Sequence, residues 1–300
     1  MGSAISCITN AHSSSRTYVD DYIDNIIYNP PVITQTEIGT LNALSQCGKI
    51  SSFFCYTKNN DGIAAFKTNI INDPINNQQS ESESKSKSES ESESETEKYI
   101  IFSHGNGCDI YKMCEYFVNL ASIINACTNT KVNIICYDYI GYSISAPKTP
   151  SEQGCYDSLE AIMCYVQNNL HVNPQNIYLI GQSLGTGVVI DYVSKNKTWT
   201  TPIMLISPYK TICRVVLDSC CVNPIDKFTS IYKLQNITCP VKILHGEQDR
   251  IINISHGKEM YDKLINKSLQ PVWFEDTDHN DIIDKILPDH YLEVLNYTAK

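Results

Sequence analysis

The chain has 300 residues, a formal net charge of −10 and 42% hydrophobic residues, which is enough for one large domain with a buried sheet. It contains no basic patch, and its negative charge opposes contact with phosphate, so nucleic acid is not an expected partner. The chain contains thirteen cysteines, an odd number. It shows no secretory signal, and its cysteines do not have the Cys/His spacing of zinc sites. These features predict reduced cytoplasmic thiols and no metal centre.

The first residues fit a lipid-attachment pattern. Residues 1–6, MGSAIS, match the myristoylation motif with Gly2 as the acceptor, and Cys7 follows as a candidate for palmitoylation. One myristoyl chain holds a protein at a membrane only marginally, so Cys7 would have to supply the second anchor. No apolar run approaches the roughly 18 residues that span a bilayer. The hypothesis is peripheral attachment to the cytosolic face of membranes, and the alternative is an expression tag or a coincidental match.

The predicted organisation is an N-terminal segment, residues 1–47, followed by one α/β domain, residues 48–300. Within the domain, residues 80–98 read SESESKSKSESESESETEK and contain no apolar residue. They cannot contribute to a core and are expected to be a disordered insertion. We interpret this tract as an inert loop expansion, although its Ser-x-Glu spacing leaves phosphorylation by an acid-directed kinase open.

The domain is predicted to begin with an antiparallel hairpin. Two β-branched and aromatic stretches, 48–57 and 62–71, are separated by the turn sequence NNDG. From residue 98 to residue 299 strand-like and helix-like runs alternate. This alternation predicts an α/β fold with a mostly parallel central sheet, an antiparallel early edge and helices on both faces.

The glycine-rich loop after the next strand is the first candidate site element. Residues 98–110, KYIIFSHGNGCDI, predict a strand that ends in Ser103-His104-Gly105-Asn106-Gly107. A backbone N–H in such a loop, here that of Asn106, can stabilise an oxyanion that forms beside it.

A candidate nucleophile lies further along the chain. Residues 177–187, IYLIGQSLGTG, place Ser183 in a G-x-S-x-G sequence between a predicted strand and a predicted helix. A serine alcohol is a poor nucleophile, so hydrolases hold it on a strained strand-to-helix turn, where a base can reach it and glycines avoid steric conflict. This context predicts that Ser183 is the nucleophile of a serine hydrolase. In such enzymes the residue after the nucleophile and the loop after an earlier strand each supply an oxyanion amide, so the backbone N–H groups of Asn106 and Leu184 are the predicted oxyanion hole.

The acid and the base are predicted in two later loops. Residues 240–246, PVKILHG, predict a buried strand that leads to Asp249, the candidate acid, with Glu247 as the alternative. Residues 271–275, PVWFE, predict the last strand and lead to His279, the candidate base. The order of serine, acid and histidine is that of a hydrolase triad, which requires no cofactor.

Other titratable residues near these positions are expected to be structural. His104 and His245 precede glycines at strand ends and should stabilise loops rather than transfer protons. Asp276 and Asp278 flank the candidate base and should shape its loop. Asp138 follows a strand but precedes the serine, which fits a structural role.

The chain resembles the α/β-hydrolase-domain-containing protein 17 family in five stretches: FSHGNGCDIYKM, CYDYIGYSISAPKTPSE, IYLIGQSLGTG, ITCPVKILHGEQDRIINISHGKEMY and PVWFEDTDHNDI. The similarity runs from about Lys98 to the C-terminus. It implies an α/β-hydrolase fold with Ser183, Asp249 and His279 as nucleophile, acid and base. It also implies a membrane-attached enzyme that removes palmitoyl groups from cysteines of cytosolic proteins. The chain departs from the family in its insertion before the SHGN strand and in lacking the N-terminal cysteine cluster.

The leading hypothesis is a serine hydrolase of acyl thioesters or esters, specifically an S-palmitoyl-protein thioesterase. Its expected partner is an acylated protein or a small-molecule acyl ester. A small-ester esterase or a peptidase is the alternative among enzymes, because the triad specifies acyl transfer but not the acyl group. A catalytically silent hydrolase fold that serves as an interaction module is the alternative from another class.

Overall fold

A computed structural model describes Asp24 and residues 27–70, 97–128, 131–217 and 226–298. Gly2 and Cys7 lie outside the described residues, as do residues 80–96 of the Ser/Glu tract. The predictions of N-terminal acylation and of disorder therefore concern parts of the chain for which no structure is given.

Strands and helices alternate along the described chain. The strands are β1 (Ile50–Tyr56), β2 (Gly62–Thr68), β3 (Lys98–Ser103), β4 (Val132–Tyr137), β5 (Ile177–Gln182), β6 (Ile203–Ile206), β7 (Val241–Gly246) and β8 (Val272–Phe274). The helices are α1 (Gln35–Gln46), α2 (Ile110–Cys127), α3 (Glu152–Asn168), α4 (Leu184–Lys195), α5 (Ile212–Leu217), α6 (Ser230–Lys233), α7 (Ser255–Lys263), α8 (Ile282–Lys285) and α9 (Pro288–Leu295). Two short 3-10 turns, Pro174–Asn176 and Leu234–Asn236, precede β5 and β7.

The strands form one eight-stranded sheet in the order β1-β2-β4-β3-β5-β6-β7-β8. The β1/β2 and β2/β4 pairs are antiparallel, and the other pairs are parallel. The predicted α/β-hydrolase fold with an antiparallel early edge is thereby confirmed. Because β3 and β5 to β8 run in one direction, their carboxyl ends lie along one edge of the sheet, where parallel α/β proteins place their sites.

Both faces of the sheet are buried, which explains the nearly continuous apolar sequences of the inner strands. β4, β6 and β7 are buried at every position. One core layer includes Leu159 of α3 and Val189 of α4. The layer on the opposite face includes Phe117 of α2 and Val294 of α9. Helices therefore cover the sheet from both sides.

Helix α1 lies within the predicted N-terminal segment, 1–47, yet packs against the sheet. Its first turn is closed by a capping box in which Thr34 and Glu37 exchange hydrogen bonds. Leu41, on its inner face, is buried in the same core layer as α2. The hydrophobic core consequently includes residues that precede the first strand.

The far end of the Ser/Glu tract requires one correction. Lys98, the last residue assigned to that tract, is the first residue of β3. Its ammonium group donates hydrogen bonds to the Leu295 carbonyl, at 2.6 Å, and to Asn296 Oδ1, at 3.0 Å. These contacts with the end of α9 fix Lys98 in the folded sheet.

Across the described parts of the chain, no helix is long and apolar enough to cross a bilayer.

Candidate active site

Ser183 occupies a strained turn between β5 and α4. Its backbone has φ 49° and ψ −117°, a conformation that costs a non-glycine residue about 1–3 kcal/mol. Two backbone hydrogen bonds hold it there: Ser183 N–H donates to the Ile206 carbonyl at 2.8 Å, and Thr186 N–H donates to the Ser183 carbonyl at 2.9 Å. The turn is therefore fixed from β6 on one side and from α4 on the other.

The glycines of the G-x-S-x-G sequence are required by close packing. A Cβ atom on Gly185 would lie 2.0 Å from the Ser103 carbonyl oxygen, and one on Gly181 would lie 2.5 Å from the Gly185 carbonyl oxygen. Neither contact is possible for real atoms, so a side chain at either position would force the backbone to move. The absence of these side chains lets α4 begin directly against β3.

Three residues from three loops meet at the carboxyl edge of the sheet. His279 Nε2 lies 3.0 Å from Ser183 Oγ, and His279 Nδ1 lies 2.7 Å from Asp249 Oδ2. A carboxylate can only accept, so Nδ1 carries the proton and Nε2 is left to accept the serine hydroxyl proton. This is the tautomer that a general base needs. The structure thus brings the predicted serine, acid and histidine together in one hydrogen-bonded line.

Asp249 is held as a carboxylate by several donors. Its Oδ1 accepts hydrogen bonds from the amides of Ile251, at 2.9 Å, and Ile252, at 2.7 Å. Burial alone would raise the pKa of the carboxyl group, but hydrogen bonds from His245, His279 and the Ile252 amide outweigh it and keep the pKa well below its ordinary value. The alternative acid, Glu247, is exposed at the surface, so Asp249 is the partner of the imidazole.

Asp276 and Asp278 shape the loop that carries His279. Asp278 Oδ1 accepts from the His279 amide at 2.6 Å and from the Arg250 amide at 3.2 Å. Asp276 Oδ1 accepts from Gln248 Nε2 at 2.6 Å. Both carboxylates therefore tie the histidine loop to the loop that carries Asp249, and neither orients the imidazole ring.

His104 and Asp138 form a buried support beneath the glycine-rich loop. His104 Nδ1 lies 2.8 Å from the Gly105 carbonyl oxygen, and its own carbonyl accepts from Tyr139 Oη at 2.7 Å. Asp138 Oδ1 accepts from the Ile110 amide at 2.9 Å, at the beginning of α2. These contacts fix the loop and the helix that follows it, in line with the structural roles predicted for both residues.

The two predicted oxyanion amides belong to segments that approach each other at the serine. Leu184 is the first residue of α4, so its N–H is among those that helical hydrogen bonds leave unsatisfied. A Cβ on Gly105 would lie 3.5 Å from Ser183 Cβ, which shows how closely the glycine-rich loop passes the nucleophile. Asn106 and Leu184 both line the cavity at Ser183. The arrangement can present two N–H groups to a carbonyl oxygen bound beside the serine hydroxyl.

A cavity of about 520 Å³ opens over Ser183 and His279. This is within the range of small-molecule sites in proteins. Its walls are mostly apolar and include Met113, Ile212, Val215, Ile251, Ile252 and Ile283. The site therefore combines a polar reacting centre with an apolar chamber.

Sequence reasoning missed the contribution of the segment around residue 27 and of Tyr142. Ile27 lines the cavity, and the Asn106 side chain accepts hydrogen bonds from the Asn29 amide and from Tyr142 Oη. No motif marks Ile27 or Asn29. Tyr142 belongs to the YDYIGY sequence, and its place in the loop after β4 was the signal that could have marked it as a site residue.

In the portion of the chain with assigned structure, no group of three or more His, Cys, Asp or Glu side chains is arranged to hold a metal ion.

Three relatives place the chain among known sequences. A family model described as steryl acetyl hydrolase matches residues 12–277. A protein of Acanthamoeba polyphaga mimivirus named as an α/β-hydrolase is 45% identical over 280 residues, which are 93% of this chain and 94% of that protein. The α/β-hydrolase domain-containing protein 17C of Xenopus tropicalis is 38% identical over 184 residues, and that of Homo sapiens is 37% identical over the same length. These 184 residues are 61% of this chain and 56% and 53% of the two animal proteins, so the match spans about half of their length.

Two solved structures have the same fold at low sequence identity. An α/β-hydrolase from Vibrio vulnificus superposes with a TM-score of 0.69 at 14% identity and covers 94% of this chain and 95% of its own. An esterase from Pyrococcus furiosus superposes with a TM-score of 0.60 at 14% identity and covers 90% of this chain and 100% of its own. At this identity the likeness concerns the fold alone.

Proposed function

The chain belongs to the steryl acetyl hydrolase family of α/β-hydrolases, and we propose that it is a serine hydrolase of long-chain acyl thioesters and esters, with S-palmitoyl proteins as its substrates. The observation that carries the proposal is the hydrogen-bonded line of Ser183, His279 and Asp249 beneath an apolar cavity. The predicted resemblance to the protein 17 family is confirmed by the relatives of that name.

In the proposed reaction Ser183 Oγ attacks the carbonyl carbon of the acyl group, and His279 Nε2 takes the hydroxyl proton. The carbonyl oxygen becomes an oxyanion that accepts hydrogen bonds from the N–H groups of Asn106 and Leu184. Collapse of the tetrahedral intermediate breaks the bond to sulfur or oxygen, and His279 returns the proton to the leaving thiolate or alkoxide. Water then enters, loses a proton to His279 and attacks the acyl carbon; the bond to Ser183 Oγ breaks, His279 returns the proton to that oxygen, and the fatty acid is released.

Asp249 supports both halves of this cycle without bonding to the substrate. Its carboxylate fixes the Nδ1–H tautomer of His279 and stabilises the imidazolium that forms when Nε2 is protonated. Because several donors hold the pKa of the carboxyl group low, Asp249 stays ionised when the imidazole becomes charged. His279 therefore exchanges protons with Ser183, the leaving group and water, and the proton does not reach the acid.

The apolar cavity supports a long acyl chain as the part of the substrate that is recognised. Each buried methylene contributes about 0.8 kcal/mol, so a chamber lined by isoleucine, valine and methionine favours a long chain over an acetyl group. A thiolate also leaves more readily than an amine and places less demand on His279 as a general acid. Long-chain thioesters therefore suit both the chamber and the triad.

A second candidate is favoured by the description of the family model. A steryl acetyl hydrolase cleaves a small acyl group from a bulky apolar alcohol, and the same chamber could hold the alcohol in place of the acyl chain. The two candidates differ in which side of the scissile bond is large. A series of acyl chain lengths on one alcohol, compared with acetyl esters of several alcohols, separates them.

Membrane attachment through Gly2 and Cys7 remains part of the proposal. Two acyl chains would hold the enzyme where palmitoylated proteins reside. In cells that acylate proteins, Gly2→Ala should move the chain from membranes to the soluble fraction, and Cys7→Ser should weaken attachment while leaving soluble-ester hydrolysis unchanged. Equal membrane fractions for wild type and Gly2→Ala would rule out the anchor but not the hydrolase.

The decisive experiment labels the purified full chain with a fluorophosphonate probe, with Ser183→Ala as the control. Competition with an S-palmitoyl peptide, a short-chain thioester and a sterol acetate then ranks the substrates. We expect Ser183-dependent labelling, protection by the palmitoyl peptide, and release of palmitate. Protection by the sterol acetate alone would favour the second candidate. If the chain shows no labelling and no turnover, it is a catalytically silent interaction module.

A further inference from the structure

A short N-terminal segment forms one wall of the candidate active site. We call Asp24 and residues 27–29 the N-terminal strap. Ile27 is 5% exposed and lines the cavity that contains Ser183. Tyr28 is buried beside it, and its amide donates to the Asp24 carbonyl at 2.8 Å. Residues far upstream of the nucleophile in sequence are therefore part of the chamber.

One end of the strap is anchored to Lys227 and Phe228. Asp24 forms an ion pair with Lys227, and the side chains of the two residues are 5% and 15% exposed. The Tyr28 ring packs edge-on against Phe228, with ring centroids 6.4 Å apart. Phe228 is in turn fixed by its amide, which donates to Glu152 Oε1 at 2.8 Å. The ion pair and the ring contact together hold this end of the strap against Lys227 and Phe228.

The other end of the strap holds the side chain of Asn106. The Asn29 amide donates to Asn106 Oδ1 at 2.8 Å, and Tyr142 Oη donates to the same atom at 2.7 Å. Because a backbone N–H can only donate, the atom it contacts must be the amide oxygen, which settles the orientation of the Asn106 side chain. Both lone pairs of this oxygen are then occupied, one from the strap and one from the loop after β4.

We propose that the N-terminal strap positions the oxyanion loop, with Asn29 and Tyr142 as positioning residues that act through the Asn106 side chain. The inference rests on the proposed function, in which the Asn106 backbone N–H stabilises the oxyanion. A side chain held from two sides restricts rotation of the residue, so its N–H stays directed at the carbonyl oxygen beside Ser183. Preorganised donors of this kind stabilise the transition state more than the bound substrate.

The test compares Asn29→Pro with Asn29→Ala in the full chain. Proline removes the backbone N–H, whereas alanine keeps it and removes an exposed side chain. Positions 30 and 31 are already proline, and a residue that precedes proline favours an extended backbone, with which the fixed φ of a proline at position 29 is compatible. For a short soluble ester, we expect Asn29→Pro to lower kcat about five- to ten-fold with KM little changed, and Asn29→Ala to match wild type.

Affinity for a transition-state analogue separates positioning from general destabilisation. An alkyl boronic acid forms a tetrahedral adduct with the serine and places an oxygen in the oxyanion hole. We expect Asn29→Pro to weaken this inhibitor by the same factor as kcat, while fluorophosphonate labelling and the melting temperature stay near wild type. A merely structural change would lower the melting temperature and alter KM as well.

Tyr142→Phe removes the second hydrogen bond to the same oxygen and serves if Asn29→Pro fails to fold. It should lower kcat and boronate affinity in parallel, again with KM preserved. Wild-type kcat and boronate affinity in Tyr142→Phe, or identical values for Asn29→Pro and Asn29→Ala, would overturn the positioning role while the hydrolase assignment stands. A wild-type chain without turnover and without labelling of Ser183 would overturn both.

Discussion

The Nε2 atom of His245 lies 3.4 Å from Asp249 Oδ2, the same oxygen that accepts the hydrogen bond from His279. His245 Nε2 also lies 2.8 Å from the Ile252 carbonyl oxygen. A carbonyl can only accept, so Nε2 carries the proton and points at the carboxylate as well. The candidate acid is thus held between two imidazoles, one buried beneath it and one facing Ser183.

This arrangement predicts a supporting role for His245. His245→Phe keeps a ring of similar shape but removes the N–H, so it should raise the pKa of the Asp249 carboxyl group and loosen its orientation. We expect kcat to fall on the order of ten-fold, in keeping with loss of a hydrogen bond to a charged group. Steady-state kinetics on a soluble ester measure the effect, which must be smaller than that of Asp249→Asn. Wild-type kcat in His245→Phe would show that His245 only packs the core.

The triad predicts strongly non-additive losses. Ser183→Ala removes the nucleophile and His279→Ala removes the base, so each should lower turnover by several orders of magnitude, about 10⁶-fold by comparison with other serine hydrolases. The double variant should be little worse than either single one, because neither group works without the other. Turnover of a thioester and probe labelling are measured on the same preparations. Wild-type turnover in Ser183→Ala would exclude this mechanism.

Asp249 and Glu247 offer a matched pair of tests. Asp249→Asn should cost less than loss of the nucleophile, on the order of 10⁴-fold in kcat, whereas Glu247→Gln, at an exposed position, should leave kcat unchanged. The reverse result would identify Glu247 as the acid.

The pKa of Asp249 also predicts a pH dependence of stability. The pKa of this carboxyl group is lower in the folded state than its ordinary value of about 3.9. Its contribution to the free energy of unfolding is therefore fully present above about pH 4 and is lost as the pH falls toward the folded-state pKa. Denaturant unfolding of wild type and Asp249→Asn should give a difference in stability that is constant near neutral pH and shrinks in acid. A difference that grows in acid would contradict the assignment.

Packing at the strained turn predicts opposite outcomes for two glycines. In Gly185→Ala the new Cβ would meet the Ser103 carbonyl oxygen at 2.0 Å, so the variant should lose about 3 kcal/mol or more of stability and its probe labelling. Gly39 lies inside α1 with no atom within 4 Å of a new Cβ. Gly39→Ala should therefore raise stability by about 0.5–1 kcal/mol and leave activity unchanged. Melting temperatures of the two variants test both expectations.

Local signals explain how much of the site was predictable from sequence. Ser183, Asp249 and His279 each follow an apolar strand within a few residues, and the carboxyl ends of parallel strands meet at one edge. The order of these strands along the chain therefore predicted the meeting point without knowledge of any long-range contact. The hairpin of β1 and β2 was predictable for the same reason, since its turn sequence is local.

The strap was not predictable because its contacts have no local pattern. Asn29 and Asn106 are 77 residues apart, and Asp24 and Lys227 are 203 residues apart. The donor at Asn29 is its backbone N–H, which every residue except proline carries, so the residue type at position 29 does not reveal the hydrogen bond to Asn106. The apolar cavity was not predictable for the same reason. Ile212 and Ile283 are apolar residues without a local motif, and they line one cavity only because of the tertiary packing.

The chamber itself predicts a change in chain-length selectivity. Val215 is a half-buried residue of the cavity wall, and Val215→Trp would fill part of the space available to a long acyl chain. Each methylene that loses its apolar contact costs up to about 0.8 kcal/mol, or about four-fold in kcat/KM. We therefore expect kcat/KM to fall steeply for palmitoyl and little for acetyl thioesters. Ile265→Trp, at a position that is 59% exposed and outside the cavity wall, is the control and should leave the profile intact. If Val215→Trp lowers kcat/KM equally for both chain lengths, the chamber holds the alcohol or thiol side of the substrate, as expected for a steryl acetyl hydrolase.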